Sequence, residues 1–316
     1  MIWVVWRRQR TETLVTAGLL VLLAAVLVPT GIEMASAFDR DGIAGCLVIE
    51  PNPACAQAIG SFNSRFDSLN SFIAWLTLVP GLVGVLLAAP LVLELEHRTH
   101  RLAWTQSISR ARWLAGKLGL AVVVALAASL VFTLLVTWWR APIVQLQGRM
   151  DQSVFDSQGT VVFGYTLFAL GLAAAVGVVW RRAVASLIVG FVGYFAVRVF
   201  VDTWLRQRLL SPLATTYHTL SDSPGRLGHA WILNEYPSDR AGHAVRVPFG
   251  LCGPPPASGG KPQIGDCLAQ HGVFMHVVYH PASRFWALQG IETALFGGAA
   301  LLLLAFAAWW TYRRTD

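Results

Sequence analysis

Six long apolar runs constrain this chain more than any other feature of its sequence. A helix needs about 20 mostly apolar residues to cross about 30 Å of hydrocarbon, because its backbone polar groups must be satisfied within the segment. Only 13% of the residues are charged, well below the roughly 25% of soluble domains. We therefore predict an all-α polytopic membrane protein with six transmembrane helices, at Thr13–Ile32, Phe72–Leu93, Leu118–Trp139, Thr160–Trp180, Ala183–Val201 and Thr293–Tyr312.

The distribution of Lys and Arg predicts how these helices are oriented. Twelve lie at the two termini and in the connections after the second and fourth spans, whereas four lie in the short connections on the other side. By the positive-inside rule, the first set is cytoplasmic and so are both termini. The net charge of +7 is spread between apolar runs rather than gathered on one solvated face, which argues against a nucleic-acid partner.

The N-terminal segment admits two interpretations. Residues 1–12 carry tryptophans and arginines, which is typical of a helix that lies in the cytoplasmic membrane interface and contacts anionic headgroups. Alternatively, the arginines, the first apolar run and Ala35-Ser36-Ala37 together resemble a cleavable signal peptide. We favour a retained first span, because its apolar run is long enough to cross the membrane.

A long polar segment, residues 202–285, separates the fifth span from the last one, which we place with the C-terminal tail in residues 286–316. It holds nine of the fifteen prolines and six of the eight histidines, and we expect a large, irregular extracytoplasmic loop. No two histidines have the spacing of a zinc motif, so solvated histidines are favoured over a metal site.

All four cysteines fall on the predicted external side, where disulfides are favoured. Cys46 and Cys55 share one connection, and Cys252 and Cys267 share another. Three pairings are possible, and free thiols are a further alternative. We favour the two local bridges, each of which closes a short loop within one connection.

The cytoplasmic segment from Glu94 to Lys117 is the most informative stretch, reading ELEHRTHRLAWTQSISRARWLAGK. It resembles the coupling segment of permease subunits of ABC exporters of the type-two (ABCG-like, type V) superfamily. The matching residues are Thr99, Leu102, Ala103, Trp104, Thr105, Gln106, Ser107, Ser109, Arg110, Trp113 and Lys117. A second match is Pro281-Ala282-Ser283-Arg284-Phe285-Trp286, followed by Gln289 and Glu292.

This resemblance implies a bacterial plasma membrane permease that exports its cargo by alternating access. It also implies a soluble ATPase partner that binds ATP and Mg²⁺, and a second permease subunit, identical or different. Coupling to the ATPase would fall to the segment 94–117, in particular to Glu96, Arg98, Thr99, Leu102, Trp104 and Arg110. The chain itself has no phosphate-binding loop of the G-x-x-x-x-G-K-[ST] type and no hydrolase signature, so we predict no catalytic residues and no cofactor of its own.

Three residues within the spans are candidates for the pathway or its gate. Arg198 and Glu292 are ionisable groups in apolar runs, which are functional candidates because burying them in lipid is costly. We expect them to pair or to line the external gate; Arg198 reaching the outer headgroups is the alternative. Pro80 interrupts the second span and favours a bend there.

Two further patterns leave hypotheses open. Ala173 with Gly177, and Gly171 with Ala175, form small-xxx-small faces that favour close helix packing. The apolar spans favour an amphiphilic or hydrophobic cargo. A membrane-embedded enzyme, or a sensor or scaffold without transport activity, remains an alternative to the permease.

Overall fold

The computed structural model describes residues 2–47, 52–98, 109–217, 227–248, 250–253 and 264–314. Within these residues, six helices are long and apolar enough to span a membrane, which confirms the predicted fold class. The chain divides into two compact units. The first holds residues 1–146, 152–202 and 289–316, and the second holds residues 147–151 and 203–288.

The helices of the first unit follow the predicted apolar runs and extend beyond them. In chain order they are α1 (Ile2–Arg40), α2 (Ile43–Cys46), α3 (Pro53–Leu76), α4 (Val79–Glu96), α5 (Arg110–Trp139), α6 (Ala141–Gln147), α7 (Gln152–Ser157), α8 (Val161–Trp180), α9 (Ala183–Phe200) and α11 (Phe285–Arg314). Residue 147 of α6 and residues 285–288 of α11 are assigned to the second unit. A π-helical turn, Val201–Leu205, continues α9.

Local sequence explains where the helices begin. The side chain of Asn52 accepts a hydrogen bond of 2.7 Å from the Cys55 amide, and Pro53 occupies the first turn of α3. A turn at residues 77–78 separates α3 from α4, so the second span is interrupted just before Pro80. Pro80 lies in the first turn of α4, where its missing N–H costs no helical hydrogen bond.

The core of the first unit is built on α4 and α8. Their most apolar stretches are 72% and 78% buried, against 33% or less in the other four spanning helices. Small residues permit this packing: Gly84 of α4 faces Ala169 of α8, and Gly190 of α9 faces Ala173 of α8. The predicted small-residue faces of the fourth span are therefore used in helix contacts, since Gly177 lies against Val92.

The second unit contains a small antiparallel sheet, which corrects the expectation of an irregular segment. The strands β1 (Leu213–Tyr217), β2 (Trp231–Ser238) and β3 (Phe274–His280) are arranged in the order β1-β3-β2. In the register, Thr215 pairs with Val277 and Tyr236 pairs with His276. A short helix, α10 (Ile264–Gln270), precedes β3.

Both local disulfides favoured by the sequence are present. Cys46–Cys55 joins α2 to α3, and Cys252–Cys267 lies within the second unit, with Cys267 on α10. Each bridge closes a short loop, of 9 and 15 residues in sequence separation, and so restricts the unfolded chain.

Candidate functional site

An ionic cluster is buried among the spanning helices of the first unit. Arg198 of α9 is 6% exposed, and its guanidinium lies 2.7 Å from Asp156 Oδ2 on α7. The same guanidinium lies over the ring of Tyr165, 5.2 Å from its centroid. Because burying a charge is costly unless it is paired, this ion pair and the cation–π contact explain how Arg198 is accommodated.

Tyr165 of α8 connects this ion pair to a second carboxyl group. Its hydroxyl lies 2.6 Å from Glu292 Oε1 and 3.1 Å from Asp156 Oδ1. All three side chains are buried. The hydroxyl of Tyr165 therefore lies between two carboxyl groups and connects Glu292 to the ion pair of Arg198 with Asp156.

Gln289 fixes the backbone next to this cluster. Its Oε1 accepts a 2.9 Å hydrogen bond from the Val161 amide at the start of α8, and its Nε2 donates to the carbonyl of Phe155 at 2.8 Å. Gly159 has a positive φ of 73°, and a β-carbon there would lie 2.7 Å from Gln289 Oε1. The turn between α7 and α8 is therefore held against α11 by one buried amide.

These contacts correct the proposed direct pair of Arg198 with Glu292. The ion-pair partner of Arg198 is Asp156, and Glu292 joins the same cluster through the hydroxyl of Tyr165. The burial of Arg198 also contradicts the alternative in which its side chain reaches the outer headgroups. Asp156, Tyr165 and Gln289 were missed as site residues, although Gln289 belongs to the motif that carries the resemblance.

Pro80 lies near this cluster because the next residue, Gly81, packs against Tyr194. A β-carbon on Gly81 would overlap the ring of Tyr194, which packs 6.4 Å from the Tyr165 ring. The Tyr194 hydroxyl is buried and has no hydrogen-bond partner among the described residues. The broken start of α4 therefore packs against the aromatic side of the cluster.

At the other end of α4, two glutamates hold the start of the predicted coupling segment. Glu94 Oε1 lies 2.6 Å from Lys117 Nζ on α5, and Lys117 is 2% exposed. Glu96 Oε2 accepts a 2.8 Å hydrogen bond from the Ala183 amide, in the first turn of α9. The glutamate-rich end of the second span thus ties α4 to both α5 and α9.

The remaining coupling residues are only partly described. Arg98 is exposed and has a positive φ of 55° at the end of α4. Arg110 begins α5, where Ser109 Oγ accepts a hydrogen bond from the Arg112 amide at 3.4 Å. The predicted positions Thr99, Leu102 and Trp104 lie outside the described residues. The two ends of the segment are nevertheless brought together by the Glu94–Lys117 pair.

In the second unit, two histidines hold neighbouring segments of the chain together. His276 Nδ1 lies 3.0 Å from Thr216 Oγ1 on the adjacent strand. His280 lies 3.3 Å from the Gln207 carbonyl through Nε2 and 3.3 Å from Arg284 through Nδ1, and its burial lowers its pKa. Within the described ranges, no group of three or more His, Cys, Asp or Glu side chains could hold a metal ion.

Comparison with known proteins adds one family. Neither the curated proteins nor the solved structures gave a match to the chain. A family model described as ABC-2 membrane transporter related matches residues 17–206, more than half of the 316 residues. The matched range includes three of the six spanning helices completely and most of the first and the fifth. It also includes the coupling segment, Asp156, Tyr165 and Arg198. The chain therefore belongs to the ABC-2 membrane transporter related family and is a multi-pass permease of the ABC-2 type.

Proposed function

We propose that this permease exports an amphiphilic or hydrophobic compound across a bacterial plasma membrane. It would do so as a pair of permease subunits, driven by separate subunits that bind and hydrolyse ATP with Mg²⁺. The family match carries this proposal, because ABC-2 permeases are the membrane components of ABC transporters. The 316 residues contain no phosphate-binding loop, which supports placing ATP hydrolysis in a partner.

The ends of the coupling segment support a mechanical connection to such a partner. Movement of the segment 99–108 would be transmitted to α4 directly and to α5 through the buried Lys117–Glu94 pair. The hydrogen bond from the Ala183 amide to Glu96 extends the same connection to α9. A push on this segment would therefore act on three spanning helices together.

The buried cluster supports a gate within the membrane. Asp156, Arg198 and Glu292 come from three different helices, so a rearrangement of those helices changes which charges are paired. Separating a buried ion pair is costly, so the pairing of Arg198 with Asp156 would stabilise the closed state of this gate. Pro80 and the interrupted start of α4 provide a place where the helix can bend beside this gate.

Co-purification tests the partner directly. We expect a tagged permease, extracted from its native membrane, to carry with it a soluble ATPase that has a phosphate-binding loop. Leu102→Asp and Trp104→Asp should abolish that association, because each places a charge in an apolar contact of the helix-in-groove kind. Leu47→Asp is the matched control, since Leu47 is an exposed leucine in a different connection.

Two results would contradict the proposal. One is a permease that never retains an ATPase, or that retains it equally in the Leu102, Trp104 and Leu47 variants. The other is turnover of a substrate by the purified chain in the absence of ATP, which would favour a membrane-embedded enzyme. Export of fluorescent amphiphiles from inverted vesicles of the intact complex would then test the class of cargo.

A further inference from the structure

A small polar cavity lies between α1, α4 and α5. Gln9, Glu12 and Thr13 of α1 line one side, Leu87 and Pro90 of α4 line another, and three apolar residues of α5 complete the wall. The cavity has room for about one water-sized occupant. It is separate from the ionic cluster of Arg198, which lies on α7, α8, α9 and α11.

The polar groups that face this cavity are oxygen acceptors. Gln9 is 4% exposed, and its Nε2 donates to the Lys117 carbonyl at 3.3 Å, which leaves Oε1 buried without a partner among the described residues. Glu12 Oε2 is likewise buried without such a partner. The Thr13 hydroxyl already donates its hydrogen to the Gln9 carbonyl at 3.0 Å.

Pro90 adds no hydrogen-bond donor to the cavity wall. A proline has no N–H, so the carbonyl of Leu86, four residues earlier in α4, has no helical donor. The proline ring that removes this donor is itself part of the cavity wall. Among the described residues that line the cavity, the buried atoms without a partner are therefore the oxygens Gln9 Oε1 and Glu12 Oε2.

Glu12 leaves the described lining of the site negative. Lys117, whose carbonyl accepts a hydrogen bond from Gln9, lies 2.6 Å from Glu94 in a buried ion pair. Arg10 is exposed at the surface of α1. A buried carboxylate oxygen without a partner is unfavourable, and a neutral water molecule leaves its charge uncompensated.

We propose that this cavity binds one small monovalent cation through Gln9 Oε1 and Glu12 Oε2. The ion supplies the single positive charge that the site lacks, and its size matches the space for one water molecule. A divalent ion is disfavoured, because the one carboxylate that lines the cavity balances only one positive charge. Sodium and potassium share this chemistry, and the test distinguishes them.

Binding at this place would stabilise the packing of the first span. Gln9 contributes one end of its amide to the cation and the other end to the Lys117 carbonyl. The occupied site thus connects α1 to the start of α5, beside the ion pair that closes the coupling segment. This inference stands independently of the proposed transport function, since it concerns the stability of the permease chain alone.

Thermal unfolding of the full-length permease in lipid nanodiscs tests the site. The tryptophan fluorescence transition is compared in sodium, potassium and choline chloride at one ionic strength, each at mildly acidic and mildly alkaline pH. When one cation is present at several times its Kd, we expect the unfolding temperature to rise by about 2–4 °C over choline. A rise in acid that is equal in all three salts reports protonation of the protein and not binding of a cation.

Glu12→Gln is the decisive variant. Its amide removes the charge and can donate a hydrogen bond to Gln9 Oε1, so the variant should fold in choline at least as stably as the parent protein. It should also lose the response to the cation. Glu33→Gln is the matched control, because Glu33 lies on the same helix but is exposed and paired with Arg65 at 2.8 Å.

Two outcomes would overturn the proposal. The unfolding temperature of the parent protein could be the same in all three salts at both pH values, as expected for a water-filled cavity. Alternatively, Glu12→Gln could keep the full response to the cation, which would place the binding elsewhere. Binding of radioactive sodium or potassium to the parent protein and not to Glu12→Gln would confirm the site without reference to stability.

Discussion

At the scale of single residues, the ion pair of Arg198 with Asp156 has the clearest energetic consequence. Removing one member of a buried pair leaves an uncompensated charge, and Arg198→Gln should therefore lower the free energy of unfolding by about 3–5 kcal/mol. Adding Asp156→Asn should restore most of this loss. Adding Glu292→Gln to Arg198→Gln should restore less, because Asp156 lies directly against the guanidinium whereas Glu292 contacts the hydroxyl of Tyr165.

Chemical unfolding of the purified variants, analysed as double-mutant cycles, measures both couplings. A larger coupling energy for Arg198 with Glu292 than for Arg198 with Asp156 would contradict the arrangement described above. Transport assays on the same variants report separately on the gate.

Some members of this cluster could be predicted from the sequence and others could not, for a physical reason. Arg198 and Glu292 stand out because each is a charged residue in or beside an apolar run. Asp156 lies in the polar stretch between the third and fourth spans, where an acidic residue is ordinary. Its burial depends on the packing of α7 beside α8, which hydropathy does not report. Tyr165 belongs to an apolar run, and its role depends on the side chains that its hydroxyl and ring contact in the folded chain.

At the scale of helices, the contact of α4 with α8 depends on Gly84. A β-carbon at this position would overlap the carbonyl oxygen of Thr166 and lie 2.8 Å from the Ala169 side chain. Since the carbonyl is part of the α8 backbone, it can move only if the two helices separate. Gly84→Ala should therefore destabilise the permease by about 1–3 kcal/mol, the usual cost of overpacking.

Gly18→Ala is the control for Gly84→Ala, because it makes the same substitution at a helix position without close neighbours. Gly18 of α1 has open space where a β-carbon would be added, so alanine should be neutral or slightly stabilising there. Thermal unfolding of both variants gives the contrast. Equal stability of the two variants would contradict the close packing of α4 and α8.

The helical elements were more predictable than the sheet. Five predicted spans coincide with one observed helix each, and the second is divided between α3 and α4 by the turn at residues 77–78. The agreement is good because an apolar run of about 20 residues has few structures available in a membrane. The ends were less predictable: α5 begins at Arg110 and α11 at Phe285, before their apolar runs, since helices continue into the polar boundary of the membrane. The sheet was missed because the abundant prolines of residues 202–285 suggested irregular backbone.

At the scale of the whole molecule, the two disulfides and the six spanning helices predict which connections share one side of the membrane. Cys46–Cys55 lies between the first and second spans and Cys252–Cys267 between the fifth and sixth. Connections after odd-numbered spans lie on one side of a membrane, so both bridges share that side. Disulfides persist in oxidising compartments, and the counts of Lys and Arg independently predict that the same side is the exterior.

Cysteine labelling in intact cells tests this orientation. After treatment with a membrane-impermeant reductant, a membrane-impermeant maleimide should label the native cysteines of the parent protein without permeabilisation. Arg182→Cys provides the opposite control: it is exposed in the connection between α8 and α9, and in a variant whose native cysteines are replaced by serine it should react only after the cells are opened. The orientation would be the reverse of the predicted one if Arg182→Cys were labelled in intact cells. The native cysteines of the parent protein would then be labelled only after lysis. The segment 99–108 would then face away from cytoplasmic ATP, and no soluble cytoplasmic ATPase could reach it.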